Sequence, residues 1–222
     1  MFDFISNLFS SKSKTIEIEE PSEDIVEETK RPTIVMIHGA NATSKSFAYI
    51  KSQLPDWKFV MVNYNSADGF YYNLERIVQH TKTLGPLFII AHSLGGVYAL
   101  HMLQHLNVKQ VFSVSSPFGG SAIADWAKYM MPNYQLFKDI GVRSLPIVQG
   151  RDIEINIPWT QIVTTKGAVP WHKSDNDGVV TIKSMTCRND MELIYVDENH
   201  YEVLASDFVV ALIKERYLAS RI

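Results

Sequence analysis

At 222 residues the chain is long enough for one domain with a sizeable core and short for two full ones. Its 46% hydrophobic and 20% charged residues are ordinary soluble globular usage, which argues against a disordered or membrane-embedded class. The formal net charge of -3 offers no basic stripe of the kind that nucleic-acid binding requires.

Cys187 is the only cysteine, so no intrachain disulfide can form and folding does not depend on an oxidising compartment. A small buried hydrophobe is its expected role. No apolar run approaches the roughly 20 residues that span a bilayer. The first residues carry Asp3 and no basic leader, which is not the build of a secretory signal, and a cytoplasmic location is expected.

In chain order, Phe2, Ile5, Leu8 and Phe9 recur at near-helical spacing. Residues 1–9 therefore suit a weak contact with a membrane surface or a partner. From Glu17 to Glu28 acidic residues crowd around Pro21 with little to bury, a composition that stays solvated. Residues 1–30 read as a flexible acidic tail and residues 31–222 as the domain.

After Pro32 strands and helices alternate. Strands are predicted at Thr33–Ile37, Lys58–Val62, Leu87–Ala91, Gln110–Val114, Gln161–Thr165 and Leu193–Val196. Helices are predicted at Ser46–Leu54, Tyr71–Leu84, Leu94–Leu106 and Tyr201–Leu218. Short, continuously apolar strands separated by helices imply an α/β protein with a mostly parallel central sheet and helices on both faces. Chemistry in such sheets gathers at the carboxyl ends of the strands.

The strand Leu87–Ala91 runs through His92-Ser93-Leu94-Gly95-Gly96 straight into a helix. A serine on so sharp a turn is held with its Oγ lifted clear of the sheet, and small neighbours, here Ala91 and Gly95, let strand and helix pass closely. The helix presents its N-terminus to the serine, where an oxyanion would form. Three further stretches follow strands: His38-Gly39-Ala40 after the first, Ser115–Ser121 with Pro117, Gly119 and Gly120 after the fourth, and Asp175 and Asp177 ahead of Asn199-His200 late in the chain.

Together these stretches resemble the α/β-hydrolase superfamily, in its lipase and esterase branch. The turn at Ser93 is similar to the G-x-S-x-G nucleophile elbow, with Ala91 at the first glycine. The Ser115–Ser121 stretch resembles the T-P-H-x-G-S segment of many lipases, and Asp177-Gly178-Val179-Val180 resembles their D-G-x-V segment. The resemblance spans Pro32 to the C-terminus and implies an α/β-hydrolase fold with the chain order Ser, Asp, His.

By position it implies Ser93 as nucleophile, Asp177 as the orienting acid in preference to Asp175, and His200 as base with His172 the rival. The backbone N–H groups of Ala40 and Leu94 would form the oxyanion hole. His38 is expected to brace its loop, His92 to point away from the serine, and His80, His101 and His105 to fall in helices. Residues 118–160 form an apolar insert, with Trp126, Tyr129, Met130, Met131, Tyr134, Phe137 and Trp159, expected to cover the site. Tyr64, Phe70, Tyr71 and Tyr72 are expected on the opposite wall.

The implied function is cleavage of a carboxylic ester, from a small-molecule or lipid-like substrate, through an acyl-enzyme. No Cys/His cluster has metal-ligand spacing, and neither a metal nor another cofactor is expected. The same triad would serve a thioesterase, an amidase or a polymer deacetylase. A catalytically silent binding protein of the same fold is the alternative from a different class.

Overall fold

The computed structural model describes residues 32–167 and 175–220. The acidic tail 1–30, its amphipathic start 1–9 and the rival base His172 lie outside these residues.

Among the described residues six strands form one sheet: β1 (Thr33–Ile37), β2 (Phe59–Val62), β3 (Leu87–His92), β4 (Val108–Val114), β5 (Trp159–Thr164) and β6 (Glu192–Val196). Their order is β2-β1-β3-β4-β5-β6, and every adjacent pair is parallel. Strands β1, β3 and β5 are almost wholly buried, as continuous apolar runs in a parallel sheet require.

The side-chain period of two splits the core between the faces. Val35, Ile37, Ile89 and Val111 join α2 (Phe70–Thr81) and α3 (Leu94–Met102) on one side. Ile34, Met36, Phe88, Ile90, Phe112 and Val114 join α1 (Ala48–Gln53) and α8 (Asp207–Ala219) on the other. Each large apolar side chain so buried contributes about 1.5–3 kcal/mol. The α2 helix buries Phe70, Leu74 and Ile77, one apolar stripe at helical spacing, whereas α3 is buried on every side.

The predicted elements occur, with shifted ends. The helix after Ser93 stops at Met102, so His105 sits in a turn and not in a helix. The reason is the return to β4: Leu106 N–H closes on the Met102 carbonyl, and the next carbonyl, of Asn107, accepts from Leu87 N–H at the start of β3. The terminal helix is interrupted at Ser206, whose extended backbone separates a 3-10 turn, Glu202–Ala205, from α8.

The insert holds three short helices that periodicity did not reveal: α4 (Ala122–Met130), α5 (Gln135–Ile140) and α6 (Leu145–Arg151). Its last residues, Trp159 and Thr160, belong to β5. A further short helix, α7 (Ile182–Met185), follows β5. Among the described residues no helix is long and apolar enough to cross a membrane.

From β1 the chain goes first to one side of the sheet, to β2, and then across to β3 on the other. That reversal opens a crevice beyond the carboxyl ends of β1 and β3. The loop His38-Gly39-Ala40 leaves β1 there, and Ser93 leaves β3.

Candidate active site

Ser93 joins β3 to α3 with φ 52 and ψ -122. A left-handed φ on a non-glycine residue is strained and persists only where its surroundings hold it. Here the Ser93 N–H donates to the Val114 carbonyl at 2.8 Å. The glycines after it are obligatory for packing: a Cβ on Gly95 would lie 2.2 Å from the Ile37 carbonyl oxygen, and one on Gly96 2.0 Å from Ser116 Oγ. Ala91, at the first glycine position, is fully buried within β3.

The β1 loop packs directly on this turn, since a Cβ on Gly39 would sit 3.0 Å from Ser93 Cβ. His38 braces the loop. Its Nε2 accepts from Tyr64 N–H at 3.3 Å, which leaves Nδ1–H to donate to the Gly39 carbonyl at 2.7 Å. The Tyr64 ring stacks on it at 4.3 Å, and the Tyr64 hydroxyl donates to the His38 carbonyl. Burial, only partly offset by the Gly39 bond, lowers the His38 pKa and keeps it neutral.

Asp177 and His200 are brought together from two loops at the carboxyl ends of β5 and β6. His200 Nδ1 faces Asp177 Oδ2 at 2.7 Å, and His200 N–H donates to the Asp177 main-chain carbonyl at 3.1 Å. The other carboxylate oxygen accepts from Val179 N–H at 3.0 Å and Val180 N–H at 2.7 Å. Burial pushes the Asp177 pKa up, but the bonds from His200, Thr164 and Val180 outweigh it and hold the carboxyl below its usual range. Asp175 is exposed, and its backbone carbonyl accepts from Ile182 N–H.

A cavity of about 850 Å³ collects these groups. Ser93, Leu94, Gly39, Ala40 and His200 all line it, while Asp177 lies behind His200, fully buried. Its apolar wall includes Phe118, Leu136, Ile140, Val142 and Ile153.

The insert therefore borders the site through residues other than those expected. Trp126, Tyr129 and Met130 are exposed on the face of α4 turned away from the domain, and Met131 just after the helix is exposed too. Only Ala124 and Ala127 of that helix are buried, so the aromatic side lost the competition for the core. Trp159 is buried, its indole N–H donating to Ser113 Oγ at 2.7 Å. Tyr134 receives a short bond from the Asn41 amide, and its ring meets Phe137 edge-on at 4.8 Å.

The expected opposite wall is absent too. Tyr64 is committed to His38, Phe70 stacks on Tyr98 at 4.3 Å, the Tyr71 hydroxyl bonds Gln149, and Tyr72 is exposed beside Arg76. Cys187, expected inside, is an exposed residue on the cavity wall. Among the described residues no group of three His, Cys, Asp or Glu side chains is arranged to hold a metal ion.

His92, expected to point away, turns under His200. Its Nε2 faces the His200 carbonyl at 2.9 Å and the two rings lie 4.8 Å apart. Burial first, then the neighbouring His200, lower its pKa to about 3. Sequence reasoning also passed over Thr164, whose hydroxyl donates to Asp177 Oδ2 at 2.5 Å, and Ser115, whose Oγ meets Thr164 Oγ1 at 2.8 Å. Their one visible signal was position, each standing at the carboxyl end of a predicted strand.

No protein-family model and no curated protein sequence matches the chain. Among solved structures it is similar to the mature form of the Bacillus licheniformis lipase BlEst2, with a TM-score of 0.65 and 14% identity over 91% of this chain and 98% of that one. The chain has the α/β-hydrolase fold. Two further structures of this fold resemble it. The monoacylglycerol lipase of Paleococcus ferrophilus matches with a TM-score of 0.58 and 12% identity, over 86% of this chain and 96% of that one. A thioesterase domain from the curacin biosynthetic pathway matches with a TM-score of 0.53 and 14% identity, over 85% and 91%. In this chain Ser93 follows β3, and Asp177 and His200 stand in the loops after β5 and β6.

Proposed function

We propose that the chain is a serine hydrolase that cleaves a carboxylic ester through an acyl-enzyme. One observation carries this reading: a serine on a strained strand-to-helix turn and a histidine already bonded to a buried carboxylate line the same cavity.

His200 takes the Ser93 proton as Oγ attacks the acyl carbonyl. Its Nδ1–H, held by Asp177, leaves Nε2 as the base, and the carboxylate stabilises the imidazolium that forms. Charge gathers on the former carbonyl oxygen, where the N–H groups of Leu94 and Ala40 receive it. Each such donor contributes about 3 kcal/mol when well aimed. His200 then protonates the leaving group, and water activated by the same histidine releases the acid. The apolar wall from Phe118 to Ile153 suits a hydrophobic acyl group.

The test is labelling with a fluorophosphonate probe, followed by intact mass and peptide mapping. An adduct on Ser93, lost in Ser93→Ala and in His200→Ala, is the expected result. A folded protein that takes no adduct would overturn the reading in favour of a silent binding protein. The likeness to a thioesterase domain favours thioesters as the second substrate class, and a panel of matched oxygen and thiol esters separates the two.

A further inference from the structure

Two buried hydroxyls stand behind the acid without a part in the mechanism above. Thr164, the last residue of β5, donates from Oγ1 to Asp177 Oδ2, the oxygen that also faces His200 Nδ1. Ser115, the first residue beyond β4, lies with Oγ 2.8 Å from Thr164 Oγ1. Both side chains are fully buried.

A hydroxyl carries one proton. Because Thr164 spends its own on the carboxylate, the proton between the two hydroxyls belongs to Ser115. The direction of the chain is thereby forced, from Ser115 to Thr164 to Asp177. With Val179 and Val180 N–H on Oδ1, and Thr164 and His200 on Oδ2, all four acceptor positions of the carboxylate are filled. It has one orientation left to it.

Ser115 meets this geometry under strain. It has φ 53, one of three non-glycine residues at positive φ among those described, the others being Asn41 and Ser93. All three follow the carboxyl ends of strands around the site. A glycine would adopt this backbone freely, so the serine is kept against local preference, as strained residues at functional sites are.

We propose that Ser115 and Thr164 are positioning residues, a directed pair of hydroxyls that locks the Asp177 carboxylate and through it the Nδ1–H tautomer of His200. This rests on the reading of Asp177 and His200 as acid and base. The pair touches no substrate. Its loss is felt in kcat and spares KM.

The test compares the full chain with Thr164→Val, Thr164→Ser and Ser115→Gly, using p-nitrophenyl acetate turnover, urea denaturation and the downfield proton resonance of His200 Nδ1–H. Thr164→Val keeps the shape and removes the hydroxyl. It is expected to lower kcat about tenfold, leave KM within about twofold, and shift or broaden the resonance, while Thr164→Ser restores all three. Ser115→Gly is expected to lower kcat similarly without loss of stability, because strain is relieved as the hydroxyl is removed.

Wild-type kcat and an unmoved resonance in folded Thr164→Val or Ser115→Gly would overturn the proposal. So would a Thr164→Ser variant as impaired as Thr164→Val, which would mean packing alone. If the wild-type chain turns over no ester and takes no fluorophosphonate on Ser93, the hydrolase reading falls, and the resonance still decides the pair by itself.

Discussion

His92 and His200 are joined through an unlike pair of groups: the ring Nε2 of one donates to the main-chain carbonyl of the other at 2.9 Å. His200 is thus held at both ends, its ring by Asp177 and its backbone by a neutral, buried imidazole. Nδ1 of His92, buried and without a hydrogen-bond partner among the described residues, carries no proton. This sets a pH dependence with a definite sign.

A histidine held neutral in the fold, with its pKa lowered from 6.5 to about 3, changes nothing above pH 6.5. Below that the unfolded chain takes a proton that the folded one refuses, so stability falls by about 1.4 kcal/mol per pH unit until the folded pKa is reached. His38 and His101 are lowered in the same direction and steepen the slope. His92→Gln keeps a donor near the Nε2 position and removes one proton from the count. Urea denaturation between about pH 6 and pH 4 is expected to give a slope smaller than wild type by about 1.4 kcal/mol per unit. Equal slopes would mean that His92 is charged in the fold.

The two aspartates of the 175–177 stretch separate by burial. In the proposed mechanism Asp177→Asn loses the charge that stabilises the His200 imidazolium and disturbs its tautomer, and ester turnover is expected to fall by about 10³–10⁴. Asp175→Asn alters an exposed side chain and is expected to stay within about twofold of wild type. Steady-state kinetics on one ester decides this, and similar losses at the two positions would refute the assignment of the acid.

Gly95→Ala drives a Cβ to 2.2 Å from the Ile37 carbonyl, where backbone and not a flexible side chain must yield. It is expected to lower stability by about 1–3 kcal/mol and to move the Ser93 turn with it. Gly178, at φ 96 with no heavy atom of the described residues within 4 Å of its Cβ position, offers the contrast. Gly178→Ala meets strain alone, about 1 kcal/mol. Denaturant midpoints rank the two variants, and the reverse ranking would contradict this packing.

The outward face of α4 is expected to be nearly silent in stability. Trp126→Ala and Tyr129→Ala remove side chains 66% and 78% exposed and should each shift unfolding by no more than about 0.5 kcal/mol. Trp159→Ala empties a buried position and removes the indole N–H that Ser113 Oγ accepts, which costs about 3–5 kcal/mol. Thermal denaturation of the three variants is sufficient to tell them apart.

The strands, the main helices and the groups standing after strands were legible in the sequence alone. Apolar runs such as Leu87–Ala91 admit one environment, buried on both faces, and the order of elements then selects a parallel sheet with chemistry at its carboxyl ends. Ser93, Asp177 and His200 were legible as positions because each follows a strand, the first two within a recognisable motif and the third by its place after the last strand. What the sequence could not contain was direction. The exposure of Trp126 and Tyr129, the burial of Trp159, and the turn of His92 beneath His200 each depend on which neighbours win a limited core. Thr164 and Ser115 were marked only by their places at strand ends, and nothing local pointed to their pairing, since a hydroxyl matters here only through an acid brought to it from another loop. Period and propensity act along the chain and can be read there, whereas contact between residues far apart in sequence is set by competition for space that only the folded structure resolves.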